Sequence, residues 1–519
     1  MRIGLACAIL VACAGLAAQD LDKDVAKYLA AEGKEQRAEL LKKLVGANVP
    51  LQDVMAAIAK GPTRPEEPKK GWVTFKAGEA PVVLWVPDDY DATKKYTLLV
   101  DLHGGVSRPR FIPVEGLKRR GGLYGDVCKE QGWLMMLPAA RKGCVWWEPA
   151  GTRNVVEAVR WVIRRYNVDP DRVYLTGFSD GASGAIHMCA HNPTPFAAFV
   201  PLNGNPLVAN MAGAVFAQNM RSRPTYAVNT TTDPLYPSER MKPLMEVFKK
   251  AGADLTWRSI EGHGHRPSYM PDEAPHIVEF IKKHVRTLPK KIIWLTDDVE
   301  KRGRCDWLVI EKMGECGEPF EVPNCEVKSK KALLGVQIGP DGKVVRVVEG
   351  YTADKLGLKA GDKIVEVDGR KIESRGDIAA AIKGKKSGDE TKVIVERMGE
   401  QVELSGKWSL PAPRKAFPMP EKYCGVELSV EGNRVNVRAY NVARYRLLLA
   451  EPLFAPGAEI EVYTNGRLSF KGVPRPDVGL MLRYAAEDLS PSRIFWGGVV
   501  VEVPQKEREK QDEGAEREK

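Results

Sequence analysis

The pattern of apolar and polar positions along the chain changes near residue 288. Between Trp72 and about Leu288, short apolar runs are separated by stretches with helical periodicity, such as RNVVEAVRWVIRRY and APHIVEFIKKHV. A strand buried on both faces reads as a continuous apolar run, and parallel strands need helical crossovers between them. The pattern therefore predicts an α/β domain over residues 72–288 with a mostly parallel sheet, whose strands are the runs YTLLVDL, GWLMMLP, DRVYLTG, AAFVPLNG, PTYAVNT and LTWRSIEG.

After residue 288 the pattern becomes rich in strands. The runs KKIIWLT and CDWLVIEKM precede a compact unit at 331–408, and further runs follow it in NRVNVRAYNV, YRLLLA, EIEVYTNGRLSFKG and RIFWGGVVVEV. Asn465-Gly466 is a strong hairpin signal. Because each flank is too small to close a sheet alone, we predict that 289–330 and 415–504 form one β-rich domain into which the compact unit is inserted.

The two ends of the chain differ from its middle. The stretch MRIGLACAILVACAGLAAQD has one arginine, an apolar run and small residues, which predicts a signal peptide over 1–18 and an exported protein, periplasmic or extracellular. An alternative is a lipoprotein box ending at Cys13.

Residues 19–62 have helical spacing and predict a small helical pair before the linker GPTRPEEPKKG. The charged stretch 505–519 predicts a disordered tail.

Composition narrows the classes of partner. No later run approaches the 18 or so apolar residues of a membrane helix, so no transmembrane segment is predicted. The net charge of +10 is spread among interleaved acids, which argues against nucleic-acid binding.

No C-x-x-C pair or His/Cys cluster has zinc spacing, so no metal is expected. Disulfides are permitted in an exported chain, and the candidates are Cys128, Cys144, Cys189, Cys305, Cys316, Cys325 and Cys424.

The stretch DRVYLTGFSDGASGA contains a candidate nucleophile. Ser179 lies between Gly177 and Gly181, after a short strand-like run and before a helix of small residues. A strand–turn–helix elbow of this kind exposes a serine hydroxyl at the carboxyl edge of a sheet, and the glycines permit the strained backbone and close contact that it needs. The pattern favours a serine nucleophile over an ordinary tight turn.

A base, an orienting acid and an oxyanion site are needed to activate such a serine. Asp233 follows the run PTYAVNT and is the candidate acid, while His263 and His265 in WRSIEGHGHRP are candidate bases. The three roles occur in the chain order Ser, acid, His that this elbow requires.

The candidate oxyanion hole comes from two places. Gly104 and Gly105 end the run VDLHGG, and the N–H group of Asp180 directly follows the nucleophile. Trp146 and Trp147 either line a substrate cleft or belong to the core.

Residues 72–288 resemble the α/β-hydrolase esterases related to polyhydroxybutyrate depolymerases, feruloyl and acetylxylan esterases, and phospholipase/carboxylesterases. The segments LHGG, VWW, YNVDPDRVYLTGFSDG, TTDPLYP and EGHGH carry this resemblance. It implies an α/β-hydrolase fold with Ser179 as nucleophile, Asp233 as acid and His265 as base, with His263 as the alternative base. The chain departs from many relatives in Ala182 after the elbow and in the missing third glycine of the LHGG segment.

Residues 331–408 resemble a PDZ domain of the bacterial periplasmic protease type, in the segments LLGVQI and ADKLGLKAGDKIVEVDG and in a helix from Asp377 to Lys383. In that family a loop of backbone N–H groups captures a chain terminus, and the peptide adds to the sheet edge. The resemblance implies a peptide groove at Leu334, Gly335, Val336 and Ile338. The alternative is a PDZ fold that serves only for packing.

Together these features predict an exported serine hydrolase that cleaves carboxylic esters, small or linked to a polymer, and that needs no cofactor. Its PDZ domain would bind a C-terminal peptide or a protein partner. Two alternatives remain: a serine peptidase that selects substrates through the PDZ domain, and a catalytically inactive cell-envelope scaffold.

Overall fold

The structure, a computed structural model, describes residues 20–505 apart from 48, 330, 331 and 340. It divides into a first unit, formed in the described chain by 20–323 and 417–505, and an inserted unit, Asn324–Ala416. The predicted leader at 1–18 with Cys13, and all of the predicted tail beyond residue 505, lie outside the described residues.

The first unit begins with three helices rather than the predicted pair. They are α1 (20–30), α2 (Lys34–Gly46) and α3 (Leu51–Ala59). Gly33 has extended backbone at the start of α2 and Pro50 has the same role at α3, so each interrupts the helical pattern.

An eight-stranded sheet forms the centre of the first unit, in the order β1-β2-β4-β3-β5-β6-β7-β8. The strands from β3 to β8 pair in parallel, while β2 pairs antiparallel to both β1 and β4. This is the mostly parallel sheet predicted from the apolar runs. Its strands are β1 (Gly71–Ala77), β2 (Ala80–Val86), β3 (Tyr96–Leu102), β4 (Leu134–Pro138), β5 (Val168–Phe178), β6 (Ala198–Leu202), β7 (Thr225–Thr230) and β8 (Leu255–Ile260).

Helices connect these strands, as parallel pairing requires. The buried side chains of α6 include Val155, Val159 and Val162, spaced so that they share the face packed against the sheet. None of the helices in the described chain is long and apolar enough to cross a membrane. The helices are α4 (Val114–Arg120), α5 (Gly125–Gln131), α6 (Pro149–Arg165), α7 (Asp180–His191), α8 (Pro206–Ala209), α9 (Ser238–Lys250) and α10 (Met270–Lys283), with 3₁₀ turns at Gly121–Leu123, Asn210–Ala212 and Ala217–Ser222.

Two further sheets in the first unit are built from both flanks of the insertion. Strand β9 pairs with β20, and β11 pairs with β22, so chain segments more than a hundred residues apart share each sheet. One sheet has the order β10-β11-β22-β25 and the other β24-β23-β21-β20-β9, and a common apolar core includes Trp294, Trp307 and Trp496. The elements are β9 (Lys291–Thr296), α11 (Val299–Arg302), β10 (Arg304–Cys305), β11 (Leu308–Met313), β20 (Cys424–Glu431), β21 (Arg434–Tyr440), β22 (Val442–Leu449), β23 (Ile460–Thr464), β24 (Arg467–Gly472), α14 (Val478–Asp488) and β25 (Gly497–Glu502).

The candidate disulfides at five positions are instead buried thiols. Burial raises the pKa of the Cys189 thiol and of the Cys424 thiol to about 12, which keeps both protonated and unreactive. The five residues are Cys128, Cys144, Cys189, Cys305 and Cys424.

The inserted unit has its own apolar core, which includes Val344, Ile364, Val393 and Trp408. Its second helix begins two residues before the predicted start, because Ser374 caps it through a reciprocal pair of hydrogen bonds with Asp377. Its elements are β12 (Glu326–Val327), β13 (Val336–Ile338), β14 (Val344–Val347), α12 (Thr352–Leu356), β15 (Lys363–Val367), β16 (Arg370–Lys371), α13 (Arg375–Ala381), β17 (Glu390–Arg397), β18 (Glu400–Lys407) and β19 (Arg414–Lys415).

A buried network of charges joins the central sheet to the β-rich part of the first unit. Arg223 donates to both carboxylate oxygens of Asp306, at 2.8 and 2.5 Å, with both side chains at most 5% exposed. Burial alone would raise the pKa of Asp306, but Arg223 outweighs it and holds that pKa below its ordinary value. Arg286 donates through Nε and one Nη to a single carboxylate oxygen of Asp171, at 3.1 and 3.0 Å. The Arg493 guanidinium lies 3.8 Å from Asp171 and 3.5 Å from Asp306.

We expect Asp306→Asn to lower the free energy of unfolding by about 3–5 kcal/mol, because it leaves the Arg223 guanidinium buried without its counter-charge. Urea unfolding of the full chain, followed by tryptophan fluorescence, measures this loss. Glu246→Gln is the control, since Glu246 and Lys249 form a solvent-exposed pair worth at most about 1 kcal/mol. Equal losses in the two variants would contradict the importance of the network.

Candidate active site

A close contact between strand and helix shapes the turn that presents Ser179. The chain passes from β5 to α7 at this residue, whose φ of 61° lies in the left-handed region. A Cβ at Gly181 would lie 1.7 Å from the carbonyl oxygen of Leu102 in β3, and one at Gly177 would lie 2.5 Å from the Gly181 carbonyl carbon. Only glycine fits at these two positions, so the predicted role of both glycines follows from packing.

The side chain of His265 lies between Ser179 and Asp233. The distance from Ser179 Oγ to His265 Nε2 is 2.8 Å, and that from His265 Nδ1 to Asp233 Oδ2 is 2.7 Å. An ionised carboxylate can only accept, so Nδ1 carries the proton and Nε2 is left to accept from the serine hydroxyl. The rings of Phe178 and Tyr236 lie 5.0 and 5.7 Å from the imidazole, measured between ring centroids, and restrict its movement.

Four donors keep Asp233 ionised. Burial raises the pKa of this carboxyl, but hydrogen bonds outweigh that effect and hold the pKa below its ordinary value. The donors are His265, the backbone N–H groups of Leu235 and Tyr236 at 2.8 and 3.0 Å, and the side-chain amide of Asn203 at 2.8 Å. Asp233 therefore stays an acceptor for His265 throughout the neutral range.

Asn203 is a positioning residue that the sequence analysis missed. It lies directly after β6, is fully buried, and has a φ of 51°. Its amide nitrogen donates to Asp233 and to Thr230 Oγ1, and its amide oxygen accepts from the Tyr269 hydroxyl at 2.7 Å. The available signal was its position at the end of an apolar run, next to the strands that carry Ser179 and Asp233.

The other histidine of the GHGH segment takes a different position. His263 Nδ1 lies 2.9 Å from Ser268 Oγ, and its ring meets the Tyr269 ring edge-on. The structure therefore brings His265 to Ser179 and Asp233 and places the alternative base, His263, in separate contacts.

The predicted oxyanion residues surround the serine. A Cβ at Gly104 would lie 2.9 Å from Ser179 Cβ, and the N–H groups of Gly104, Gly105 and Asp180 donate to no other group in the part of the chain that the structure describes. The Asp180 carboxylate accepts from the backbone N–H of Val106 at 3.0 Å, which ties the start of α7 to this loop. Three free backbone donors thus lie close to Ser179.

His103 and Trp146 hold the glycine loop in place. His103 Nε2 accepts from the Ala140 N–H at 3.0 Å, so Nδ1 carries the proton and donates to the Gly104 carbonyl at 2.9 Å. Burial lowers the pKa of His103 to about 4, which keeps it neutral. Trp146 is buried and donates to the His103 carbonyl, so it belongs to the core. Trp147 is also buried, and it borders a second cavity, whose lining does not include Ser179.

A cavity of about 420 Å³ opens onto Ser179 and His265. Apolar side chains form much of its wall, and they include Leu117, Leu123 and Leu137. Within the described residues no group of three or more His, Cys, Asp or Glu side chains could hold a metal ion. The arrangement is suited to nucleophilic attack by a serine hydroxyl on a carbonyl carbon.

The predicted peptide groove lies in the inserted unit. Leu334 is buried, and Gly335 has a φ of 78° with Tyr351 packed where a Cβ would project. Val336 and Ile338 lie in β13 and pack partly against the core.

Comparison with known proteins identifies both parts. Residues 150–285 match the phospholipase/carboxylesterase family model, and residues 332–407 match the PDZ domain model. The first range contains Ser179, Asp233 and His265. The chain contains an esterase-like α/β-hydrolase domain and a PDZ domain. This confirms the predicted fold class and both resemblances; below we call these parts the hydrolase domain and the PDZ domain.

The individual relatives are distant and overlap only parts of the chain. A bifunctional acetylxylan esterase/xylanase of Neocallimastix patriciarum is 26% identical over 155 residues, which are 29% of this chain and 21% of that protein. Acyl-protein thioesterase 1 of Gibberella zeae is 28% identical over 120 residues, or 22% and 49% of the two chains. The crystal structure of a thermostable esterase shares 21% identity over 41% of this chain and 62% of that one, with a TM-score of 0.35. The chain thus spans half or less of the length of these two curated relatives.

We expect Gly181→Ala to reduce the labelling rate of Ser179 by a fluorophosphonate probe by about 100-fold or more. The added methyl group collides with the Leu102 carbonyl and displaces α7, and a shift of about 1 Å at a reacting group costs this much. Gly125→Ala is the matched control, because Gly125 also lies in the first turn of a helix but has open space around its Cβ position. A normal labelling rate in Gly181→Ala would refute the packing argument.

Proposed function

We propose that the protein is an exported serine hydrolase that cleaves carboxylic esters through Ser179, His265 and Asp233. The observation that supports this most directly is the continuous pair of hydrogen bonds at 2.8 and 2.7 Å that links the three side chains. The signal peptide predicted at 1–18 is the basis for export in this proposal.

In the first half of the reaction, Ser179 Oγ attacks the carbonyl carbon of the ester while its proton passes to His265 Nε2. The imidazolium that forms is stabilised by the carboxylate of Asp233 through Nδ1–H. The protonated Nε2 then gives its proton to the departing alcohol, and an acyl group remains on Ser179. In the second half, water takes the place of the alcohol, and its attack releases the acid and restores the hydroxyl.

Backbone N–H groups stabilise the negative charge that develops on the carbonyl oxygen. The donors in this proposal are Asp180, Gly104 and Gly105, which have no competing acceptor among the described residues. Removal of one such donor typically costs about 100- to 1000-fold in rate. Because His103 and Trp146 fix the loop from behind, these donors are oriented before the substrate arrives.

The relatives favour an ester as the bond that is cleaved. The family model is described as phospholipase/carboxylesterase, and the curated relatives are named as an acetylxylan esterase and an acyl-protein thioesterase. The esterase and thioesterase parts of these names describe the cleavage of carboxylic esters or thioesters rather than of peptides. We therefore propose carboxylic ester hydrolysis as the activity and make peptide cleavage an outcome of the test.

We expect Ser179→Ala and His265→Ala each to lower kcat/KM for 4-nitrophenyl acetate by about 10⁴-fold, since either change removes the nucleophile or its base. His263→Ala is the matched control, because it removes the other histidine of the same loop, and its activity should stay within about threefold of the wild type. The release of 4-nitrophenol measures all three variants.

Three results would contradict the proposal. Equal turnover by wild type and Ser179→Ala would exclude this serine as the nucleophile. Faster turnover of peptide anilides than of aryl esters would favour the peptidase, and failure of a fluorophosphonate to label the folded wild type would favour an inactive scaffold.

We also propose that the PDZ domain binds a C-terminal peptide. The carbonyl groups of Leu333, Leu334 and Gly335 accept from backbone N–H groups of the same domain, at 2.8 to 3.4 Å, so they face its interior. The N–H groups of Leu334 and Gly335 donate to nothing among the described residues. Free N–H groups on such a loop are suited to a terminal carboxylate.

A fluorescein-labelled peptide that ends in a free valine carboxylate should bind the full chain with micromolar affinity, measured by fluorescence anisotropy. The same peptide with an amidated terminus should bind at least about tenfold more weakly, because it lacks the charge that the N–H groups recognise. Equal binding of the two peptides would refute a carboxylate site at this loop.

A further inference from the structure

Two arginines line the cavity of the hydrolase domain beside the nucleophile. Arg108 follows the oxyanion loop, and Arg120 is the last residue of α4; both border the cavity that contains Ser179 and His265. Neither forms an ion pair with a described Asp or Glu side chain. Arg108 is half-buried and Arg120 is exposed, and Asp101 is the one acidic residue among those that line the cavity with them.

Arg108 is held in position by the oxyanion loop. Its Nε donates to the Gly105 carbonyl at 2.7 Å, which leaves the two Nη groups at the end of the side chain available. One Nη nitrogen lies 3.0 Å from the point where a Cβ would project from Gly105. The guanidinium therefore lies next to the backbone donors proposed for the carbonyl oxygen of the substrate.

Arg120 lies close enough to Arg108 to be repelled by it. Loss of solvation lowers the pKa of Arg120, repulsion from Arg108 lowers it further, and Asp101 only partly compensates. Two guanidinium groups that face one cavity without full compensation form a region of positive potential. An anion placed between them would relieve the repulsion and form charge-assisted hydrogen bonds with both.

We propose that Arg108 and Arg120 form a carboxylate subsite, so that the preferred substrates are esters that carry a second, free carboxylate group. This inference rests on the proposed ester hydrolysis and names its substrate class. The apolar wall that includes Leu117, Leu123 and Leu137 suits a short hydrocarbon segment between the scissile ester and the carboxylate.

Asp101 gives the subsite a dependence on pH. Its carboxyl group also lines the cavity, and burial raises its pKa to about 7, with Arg120 as the opposing influence. The other titratable groups facing it are His103, whose pKa is about 4, and Tyr124 and Cys128, whose pKa values are raised. Among these groups only Asp101 changes charge near neutrality. Below about pH 7 it is neutral, and above it becomes an anion that opposes binding of a substrate carboxylate.

Two matched pairs of esters test the subsite. Monomethyl adipate and methyl hexanoate place a carboxylate or a methyl group at the end of a six-carbon acyl chain. 4-Acetoxybenzoate and 4-acetoxybenzamide place a carboxylate or a neutral amide on the leaving group. The measured quantity is the ratio of kcat/KM for the anionic ester to that for its neutral partner, and the pair with the higher ratio shows which side of the ester occupies the subsite.

Arg120→Gln should lower this ratio about 10- to 100-fold, the usual effect of a hydrogen bond between charged groups. Arg119→Gln is the matched control, since it removes the same charge from the preceding position of α4, outside the cavity lining, and should leave the ratio unchanged. Arg108→Gln should lower the ratio too. The wild-type ratio should fall as the pH rises through 7, and Asp101→Asn should abolish that fall.

The outcomes separate this inference from the proposed function. If the wild type hydrolyses neutral esters and Arg120→Gln lowers the ratio no more than Arg119→Gln does, the carboxylate subsite is refuted while ester hydrolysis stands. If the wild type hydrolyses none of the four esters and resists fluorophosphonate labelling, the proposed function itself is wrong.

Discussion

The contact between Gly181 and the carbonyl of Leu102 is the constraint on which the candidate active site depends. Because strand β3 and helix α7 approach this closely, the chain between β5 and α7 must turn sharply, and Ser179 takes a left-handed conformation at the edge of the sheet. The same approach places the glycine loop, which follows β3, against Ser179. The proposed nucleophile and the backbone donors proposed for the oxyanion are therefore positioned by one packing contact, before any hydrogen bond between side chains is considered.

The remaining groups of the site come from the next strands of the sheet in spatial order. Asn203 follows β6, Asp233 follows β7 and His265 follows β8. Because these strands are parallel neighbours, the three residues lie at the same edge of the sheet, where the strands end. Each side chain is held by the one before it: Tyr269 orients Asn203, Asn203 orients Asp233, and Asp233 orients the imidazole. Buried polar chains of this kind are rigid because an unpaired member would be costly.

The parallel sheet and the three linked side chains could be predicted because their signals are local: apolar runs, an elbow, and polar residues at strand ends. What the pattern missed depends on tertiary contacts. The run NRVNVRAYNV has a strand pattern throughout, yet Asn441, with a φ of 52°, ends β21 and sends the chain into another sheet as β22. Helix α14 was not predicted, and the roles of Asn203 and His103 depend on partners distant in sequence.

The inserted unit begins and ends on paired strands. Val327 faces Arg414, and Glu326 faces Lys415, so the two points where the chain enters and leaves this unit are neighbours. A segment whose ends meet can be lengthened, replaced or lost with little change in the chain entropy of its host. The hydrolase and β-rich parts cannot be separated in this way, because they share the buried ion pair between Arg223 and Asp306. Loss of either part would leave a charge of the other without its partner. The PDZ domain could thus be exchanged during evolution without change to the rest of the chain, whereas the hydrolase and β-rich parts would be inherited together.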